Sequence, residues 1–332
     1  GQWWAVLEGE LDAPAFSLAW QAVVDRHTAL RSGFHWDLKD QPFQVVHRQA
    51  ALTFTDIDWT GVGDWQAALR EFLALDRDLP FDIKKPPLMR LALIQLAPAR
   101  HIVVWTRHHL TVDGWSLGIL LDEAFTLYKA EVAGRAHGLP PAPPFRNYVE
   151  WEKSLDRDHA REHWRSVLAA MPDADLAPRQ ALSLNDTRRP DIHNSVRRLP
   201  AGLAARLQGL ARDTQVTLGT VLQAAWALAA DRLANQDAVL FGSVETVRPP
   251  HLEQGGGPAL VGIQIQVQPI VARVDATPLG AWMQALQAAA GAAREAGPLG
   301  MDDLRQLLSL PSDSLPFDSL VGFQNYPLDE AA

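Results

Sequence analysis

The sequence contains no cysteine among its 332 residues. This absence excludes a disulfide, a thiolate metal site, an iron–sulfur cluster held by this chain and a cysteine nucleophile. It permits a cytoplasmic location, which is the one we expect.

Basic segments and long apolar runs are also missing. The formal net charge is −9, and the halves on either side of residue 175 are each net acidic. Clustered lysine and arginine mark proteins that bind nucleic acid or anionic membranes. A membrane-spanning helix needs about 18 or more consecutive apolar residues, and the first residues lack the layout of a signal peptide. We therefore expect neither a nucleic acid nor a membrane as partner.

Length and hydrophobic pattern predict two α/β lobes, because the chain is about twice the usual domain size. Asp12 is placed to cap the first helix. Helices are predicted at 64–75, 114–134 and 145–171, and strands at 88–96, 101–106, 195–199 and 261–274. Proline and polar residues mark 172–190 as a linker. We expect lobes at 1–175 and 176–332.

The most informative segment is RHHLTVDGWS, residues 107–116. His108 and His109 end a predicted strand, and Asp113 with Gly114 opens the next helix. Adjacent side chains of an extended segment point to opposite sides, so one imidazole is expected to face a cavity. An imidazole that accepts a proton contributes on the order of 10²- to 10⁴-fold in rate. Adjacent histidines rarely chelate one metal ion and no thiolate is present, so we expect no metal site.

This segment resembles the HHxxxDG signature of the condensation domains of nonribosomal peptide synthetases. Other parts of the chain are similar to further segments of that family, across residues 3 to 327. These parts are RHTALR at 26–31, Phe81 with PLMR at 87–90, FRNY at 145–148, Phe241-Gly242 with Arg248-Pro249, Val261-Gly262, and FQNYP at 323–327. Two positions depart from the family pattern: Val247 replaces a glycine and Gln266 replaces an asparagine.

The resemblance implies a two-lobed, chloramphenicol-acetyltransferase-like α/β pseudo-dimer with an active-site tunnel between the lobes. It implies that an acceptor amine attacks a donor thioester, each substrate being carried on the phosphopantetheine arm of a carrier protein. Donor and acceptor peptidyl carrier proteins and an adjacent adenylation domain are then the expected partners, in antibiotic or siderophore biosynthesis. The domain itself is expected to bind no cofactor.

The resemblance also implies roles for individual residues. His109 is the expected catalytic residue, as general base or as the group that positions the amine. His108 is expected to pack inward, Asp113 to pair with Arg248 and so link the lobes, and Gly114 to offer a backbone N–H to the oxyanion. Arg31 is a further supporting residue, and Trp115 and Gln266 are candidates for lining the substrate tunnel.

Three alternative functions stay open at this point: a coenzyme A-dependent acyltransferase, an epimerisation domain and a non-catalytic recruitment module. The resemblance leans toward a donor of D configuration. Family members ordinarily extend beyond both ends of this sequence, so we expect a shortened C-terminal lobe.

Overall fold

The computed structural model describes residues 1–36, 42–171, 194–234, 238–249, 252 and 260–324. Within these ranges the chain forms two compact units. Unit 1 contains Gly1–Lys153 and Arg248–Gln264, and unit 2 contains Ser154–Val247 and Ile265–Asn325. The predicted linker at 172–190 lies outside the described residues, and the lobe boundary at 175 stays a prediction.

Unit 1 consists of a main sheet with helices on both faces and a separate pair of strands. Its elements are β1 (Gln2–Glu8), α1 (Ala13–Arg26), a 3₁₀ turn (Thr28–Arg31), β2 (Ser32–His35), β3 (Phe43–Val46), β4 (Thr53–Asp58), α2 (Trp65–Asp78), β5 (Met89–Ala97), β6 (Arg100–Arg107), α3 (Gly114–Val132) and α4 (Arg146–Lys153).

The main sheet of unit 1 has the strand order β1-β6-β5-β4. β6 pairs antiparallel with both β1 and β5, and β4 pairs parallel with β5. β2 and β3 form a separate antiparallel pair. The central strand β6 is therefore hydrogen-bonded on both sides, which fixes the point where its last residue, Arg107, leads into the histidine pair.

Side chains of β6 alternate between two hydrophobic cores. Val103 and Trp105 pack with α1 and α3, where Trp20 and Trp105 have ring centroids 5.1 Å apart. Ile102 and Val104 pack on the opposite face with Leu69 of α2. Because strand side chains alternate, Thr106 belongs to the α2 face. This alternation determines which face of the sheet the side chains just after β6 approach.

Unit 2 has a smaller sheet packed against helices. Its elements are α5 (Arg157–Ala169), α6 (Leu203–Asp213), α7 (Leu218–Ala234), β7 (Val239–Thr246), β8 (Ile265–Ala272), α8 (Leu279–Ala296), α9 (Met301–Leu307) and β9 (Leu320–Gly322). The strand order is β8-β7-β9, with β7 antiparallel to β8 and parallel to β9. Phe241 of β7 and Trp282 and Met283 of α8 belong to the buried core.

The sequence predictions agree with the structure at the start of unit 1. Asp12 caps α1 by accepting the N–H of Ala15 at 2.9 Å. The strands predicted at 88–96 and 101–106 are β5 and β6, and the helix predicted from Gly114 is α3.

Three predicted elements are wrong. The helix predicted at 145–171 is two helices, because Asp156 caps α5 and accepts the N–H groups of two following residues. Residues 195–199 have no regular secondary structure. The strand predicted at 261–274 begins only at Ile265, since the preceding residues bond to the start of α3.

Candidate active site

The candidate site lies at the junction between β6 and α3. The backbone N–H of His108 donates to the carbonyl of Leu88 at 2.8 Å, and residues 109–111 form a turn. Asp113 then caps α3, its carboxylate accepting the N–H of Ser116. A carboxylate suits this position because it satisfies a free helix N–H and faces the positive end of the helix dipole. The turn therefore holds His109 between two anchored ends.

Asp113 is 1% exposed and its carboxylate is surrounded by donors. Oδ1 accepts the backbone N–H of Ser116 at 2.8 Å and lies 2.7 Å from its hydroxyl oxygen. Oδ2 accepts the backbone N–H of Gln264 at 3.2 Å. A buried carboxylate is stable only with partners of this kind. Its oxygens are thus engaged by the protein's own structure.

The structure brings Arg248 to Asp113, with 3.6 Å between Nη2 and Oδ1. Arg248 also donates from Nη1 to the carbonyl of Leu260 at 3.4 Å. The family resemblance implied that this pair links the two lobes. Arg248 and Asp113 both belong to unit 1, whereas the lobe boundary, and with it the link between the lobes, stays a prediction. The ion pair is therefore internal to unit 1.

The roles of Ser116, Gly262 and Gln264 were not predicted from the sequence. The hydroxyl of Ser116 accepts the N–H of Gly262 at 3.1 Å. Its single proton has two acceptors in reach, Asp113 Oδ1 and the Gly262 carbonyl oxygen at 3.0 Å. A serine three residues after an N-cap aspartate is a recognisable signal. The loop that this serine holds cannot be recognised from local sequence, because it lies 146 residues away.

Gly262 is required by its backbone and by its neighbour. Its φ is +154°, and a Cβ there would lie 2.2 Å from two ring carbons of Phe145. The backbone N–H of Phe145 in turn donates to the hydroxyl of Thr28 at 2.8 Å. Three segments that resemble family motifs, near residues 28, 145 and 262, are thus in one contact chain beside the start of α3.

The two histidines have different surroundings. His109 is exposed, and within the described ranges its ring nitrogens have no hydrogen-bond partner. His108 is half-buried, accepts the N–H of Leu110 on Nδ1 at 3.2 Å, and meets the ring of Phe81 in a T-shaped contact. Burial lowers the pKa of His108, and the amino terminus and His109 act in the same direction. His109 is consequently the more accessible of the two imidazoles.

Gly114 and Trp115 follow Asp113 at the start of α3. Gly114 is the first helical residue, so its N–H is among those that lack an acceptor within the helix. Trp115 is 37% exposed. The guanidinium carbon of Arg248 lies 5.6 Å from the centroid of its ring. Trp115 therefore covers the arginine that pairs with Asp113.

Two predicted site residues have contacts with residues outside this turn. Arg31 donates to the carbonyl of His47, and to that of Arg48 at 3.2 Å, so it holds the chain that leaves β3. Gln266 lies in unit 2, on β8 opposite Glu245 of β7. In the similar FQNYP segment, residues 325–327 lie outside the described residues.

No group of three or more histidine, aspartate or glutamate side chains in the described ranges could hold a metal ion. In the same ranges, no helix is both long enough and apolar enough to cross a membrane.

The fold and the turn together define the class: an α/β protein of the chloramphenicol-acetyltransferase type that carries HHxxxDG between a strand and a helix. Among solved structures, the starter condensation domain of rhizomide synthetase, in complex with C8-CoA and Leu-SNAC, matches with a TM-score of 0.75. The match has 20% sequence identity and covers 97% of this chain and 71% of that one. It confirms the fold class predicted from the sequence.

The family model described as the condensation domain matches residues 2–332, so the chain belongs to the condensation-domain family. A linear gramicidin synthase from Brevibacillus parabrevis is 32% identical over 333 residues, which is 98% of this chain and 4% of that protein. Chondramide synthase from Chondromyces crocatus is 33% identical over 329 residues, 98% of this chain and 8% of that protein. The resemblance to condensation domains, which are amide-forming acyltransferases, is confirmed. The chain spans less than a tenth of either relative.

Proposed function

We propose that this domain forms an amide between a donor acyl thioester and an acceptor amine, with His109 at the reacting atoms. One observation carries the proposal. The ring of His109 is exposed and without a hydrogen-bond partner in the described part of the chain, whereas Asp113, one turn away, is buried and fully engaged. A rigid support beneath a free imidazole is what a catalytic group requires.

The proposed reaction is acyl transfer from sulfur to nitrogen. The amine nitrogen attacks the thioester carbonyl carbon, the carbon–sulfur bond breaks, and the thiol returns on the donor's arm while the amine gives up a proton. His109 accepts that proton and passes it to the leaving thiolate, or it holds the amine in place while the proton reaches the thiolate. Orienting two reactants is worth about 7–11 kcal/mol, which is more than one proton transfer usually contributes.

The remaining site residues support this step in the proposal. Gly114 offers its free helix N–H to the developing oxyanion, a contribution of about 3–4 kcal/mol when the geometry is right. The Asp113–Arg248 pair holds the start of α3, and Trp115 shields that pair as well as facing solvent. His108 orients the turn. For Gln266 we retain the proposal, taken from the family resemblance, that it contacts substrate.

The substrates are proposed to arrive on the phosphopantetheine arms of donor and acceptor carrier proteins, beside an adenylation domain and in the cytoplasm. This is supported by relatives in which a segment similar to this chain makes up 4% and 8% of a much longer synthase. The reacting sulfur then belongs to the partners, which suits a chain without cysteine.

The test is amide formation from donor and acceptor aminoacyl carrier proteins. We expect His109→Ala to lower kcat by at least about 10²-fold. His159→Ala, at an exposed histidine of α5, is the control and should stay within twofold. Full product from His109→Ala would remove His109 from its role. Product from acyl-coenzyme A with none from carrier proteins would instead favour the coenzyme A-dependent acyltransferase.

A further inference from the structure

Phe81 and Arg90 belong to a segment that the proposed function leaves without a role. Arg90 donates from Nε to the carboxylate of Asp76 at 2.6 Å, and from Nη2 to the carbonyl of Leu79 at 3.2 Å. Asp76 lies in the last turn of α2 and is 8% exposed. The guanidinium of Arg90 is thus fixed at both ends.

The carboxylate of Asp76 also holds the end of β6. It accepts a hydrogen bond from the hydroxyl of Thr106 and another from Nε2 of Gln2 at 2.8 Å. Burial by itself would raise the pKa of Asp76, but the hydrogen bonds from Arg90, Thr106 and Gln2 outweigh it and lower the pKa. Asp76 is therefore an anion that fixes both Arg90 and the strand two residues before His108.

Arg90 in turn fixes Phe81, because its guanidinium carbon lies 4.5 Å from the centre of that ring. The Phe81 ring meets the imidazole of His108 at 6.2 Å between centroids and 85° between planes. Thr106 and His108 share strand parity and both meet this side of the sheet. The contacts run without a break from Asp76 through Arg90 and Phe81 to His108.

His108 connects these contacts to the turn that carries His109. Its Nδ1 accepts the backbone N–H of Leu110 at 3.2 Å, so Nδ1 carries no proton and the neutral ring carries its proton on Nε2. His109 is the residue between His108 and Leu110. Fixing the His108 ring therefore fixes the backbone on both sides of His109.

We propose that Asp76, Arg90 and Phe81 form a positioning relay that holds His108 as its Nε2–H tautomer and so orients His109. The proposal rests on the proposed function for its kinetic consequence, but the tautomer of His108 is a property of the free protein. Asp76 also anchors β6 through Thr106, while Arg90 and Phe81 reach the turn through the His108 ring.

The test compares Phe81→Leu with Phe81→Tyr and a matched control. The control is Phe72→Leu, at a partly buried phenylalanine of α2 that packs at 6.1 Å on Trp59. The readouts are the ¹⁵N shifts of the His108 ring nitrogens, assigned with a His108→Asn variant, together with kcat, KM and thermal unfolding. Tyrosine keeps the aromatic face and edge, whereas leucine removes both.

In Phe81→Leu we expect the distinct unprotonated Nδ1 signal of His108 to move toward the average of the two nitrogens. We expect kcat to fall between about 10- and 100-fold with KM within twofold, the size expected for a small misplacement of a catalytic group. Phe81→Tyr should restore both readouts. Phe72→Leu should lower the unfolding temperature without changing either.

Two results would overturn the relay: an unchanged His108 tautomer in Phe81→Leu, or an equal loss of kcat in Phe81→Leu and Phe72→Leu. If the wild-type protein makes no amide, the proposed function fails. The relay is then still decided by the ¹⁵N spectra, which need no turnover.

Discussion

Replacing Glu123 by glutamine should change how the stability of unit 1 depends on pH. Glu123 lies on α3, is 6% exposed, and joins this helix to the end of α1. Its carboxylate accepts Nε of Arg26 at 2.9 Å and lies 2.8 Å from Nε2 of His27. Both partners come from the segment RHTALR. Glutamine preserves the volume but removes the charge that these donors face.

The structure sets the size of the effect. Burial by itself would raise the pKa of Glu123, but the hydrogen bonds from His27 and Arg26 outweigh it and lower the pKa from 4.5 to about 2. At about 1.4 kcal/mol per pH unit, the lowered pKa corresponds to roughly 3 kcal/mol of folding stability at neutral pH. A depressed pKa stabilises above its unfolded value, so the contribution is complete near pH 6 and is lost toward pH 2. About 1.4 kcal/mol of it should be gone by pH 3.5.

The assay is urea unfolding of wild type and Glu123→Gln at a series of pH values between 7 and 3.5. The difference in free energy of unfolding should shrink by about 1.4 kcal/mol across that range. Glu131→Gln, at an exposed glutamate of the same helix, is the control and should change stability by less than about 0.5 kcal/mol. A difference for Glu123→Gln that stays constant from neutral to acid pH would refute the reasoning.

Three further substitutions test the packing. Ser116→Ala should lower the free energy of unfolding in urea by about 1–3 kcal/mol, because the buried N–H of Gly262 loses its acceptor. An unchanged unfolding midpoint would contradict a stabilising Ser116–Gly262 hydrogen bond. Gly262→Ala should destabilise unit 1, since its Cβ would lie 2.2 Å from the Phe145 ring, and Phe145→Leu in the same chain should recover part of the loss if the clash is its cause. Gly242→Ala in unit 2, where a Cβ would lie 2.5 Å from Leu320, should lower stability by about 1–3 kcal/mol; wild-type thermal unfolding would argue against that close approach.

Local signals predicted the part of the site that is continuous in sequence. A strand, two histidines, an N-cap aspartate and a glycine define the turn and the start of α3, and each follows from short-range chemistry. The break in the helix predicted at 145–171 also had a local signal, because Asp156 is a strong N-cap. Helical periodicity on both sides of Asp156 nevertheless predicted one continuous helix.

Long-range partners were predicted only where a motif named them. The Asp113–Arg248 pair was expected from the resemblance, whereas the bond from Gln264 to Asp113 was not. Alternation at 261–274 indicated a strand, and nothing local shows that its first residues bond to α3 instead. The family pattern drew attention to Gln266, because an asparagine is usual at that position. Gln264, two residues earlier, is the residue that is buried beside Asp113.

The composition of unit 1 has a consequence for the order of folding during synthesis. Its first stretch ends at Lys153, and the donors that complete Asp113 arrive with Arg248 and Gln264. A ribosome adding about 5–20 residues per second needs roughly 6–20 s to cover that interval. Until then, of the protein donors described above, only those of Ser116 have been made, so the Asp113 carboxylate stays hydrated and the start of α3 is not yet buried as in the finished protein. Unit 1 therefore closes after most of unit 2 has been made, although it comes first in the chain.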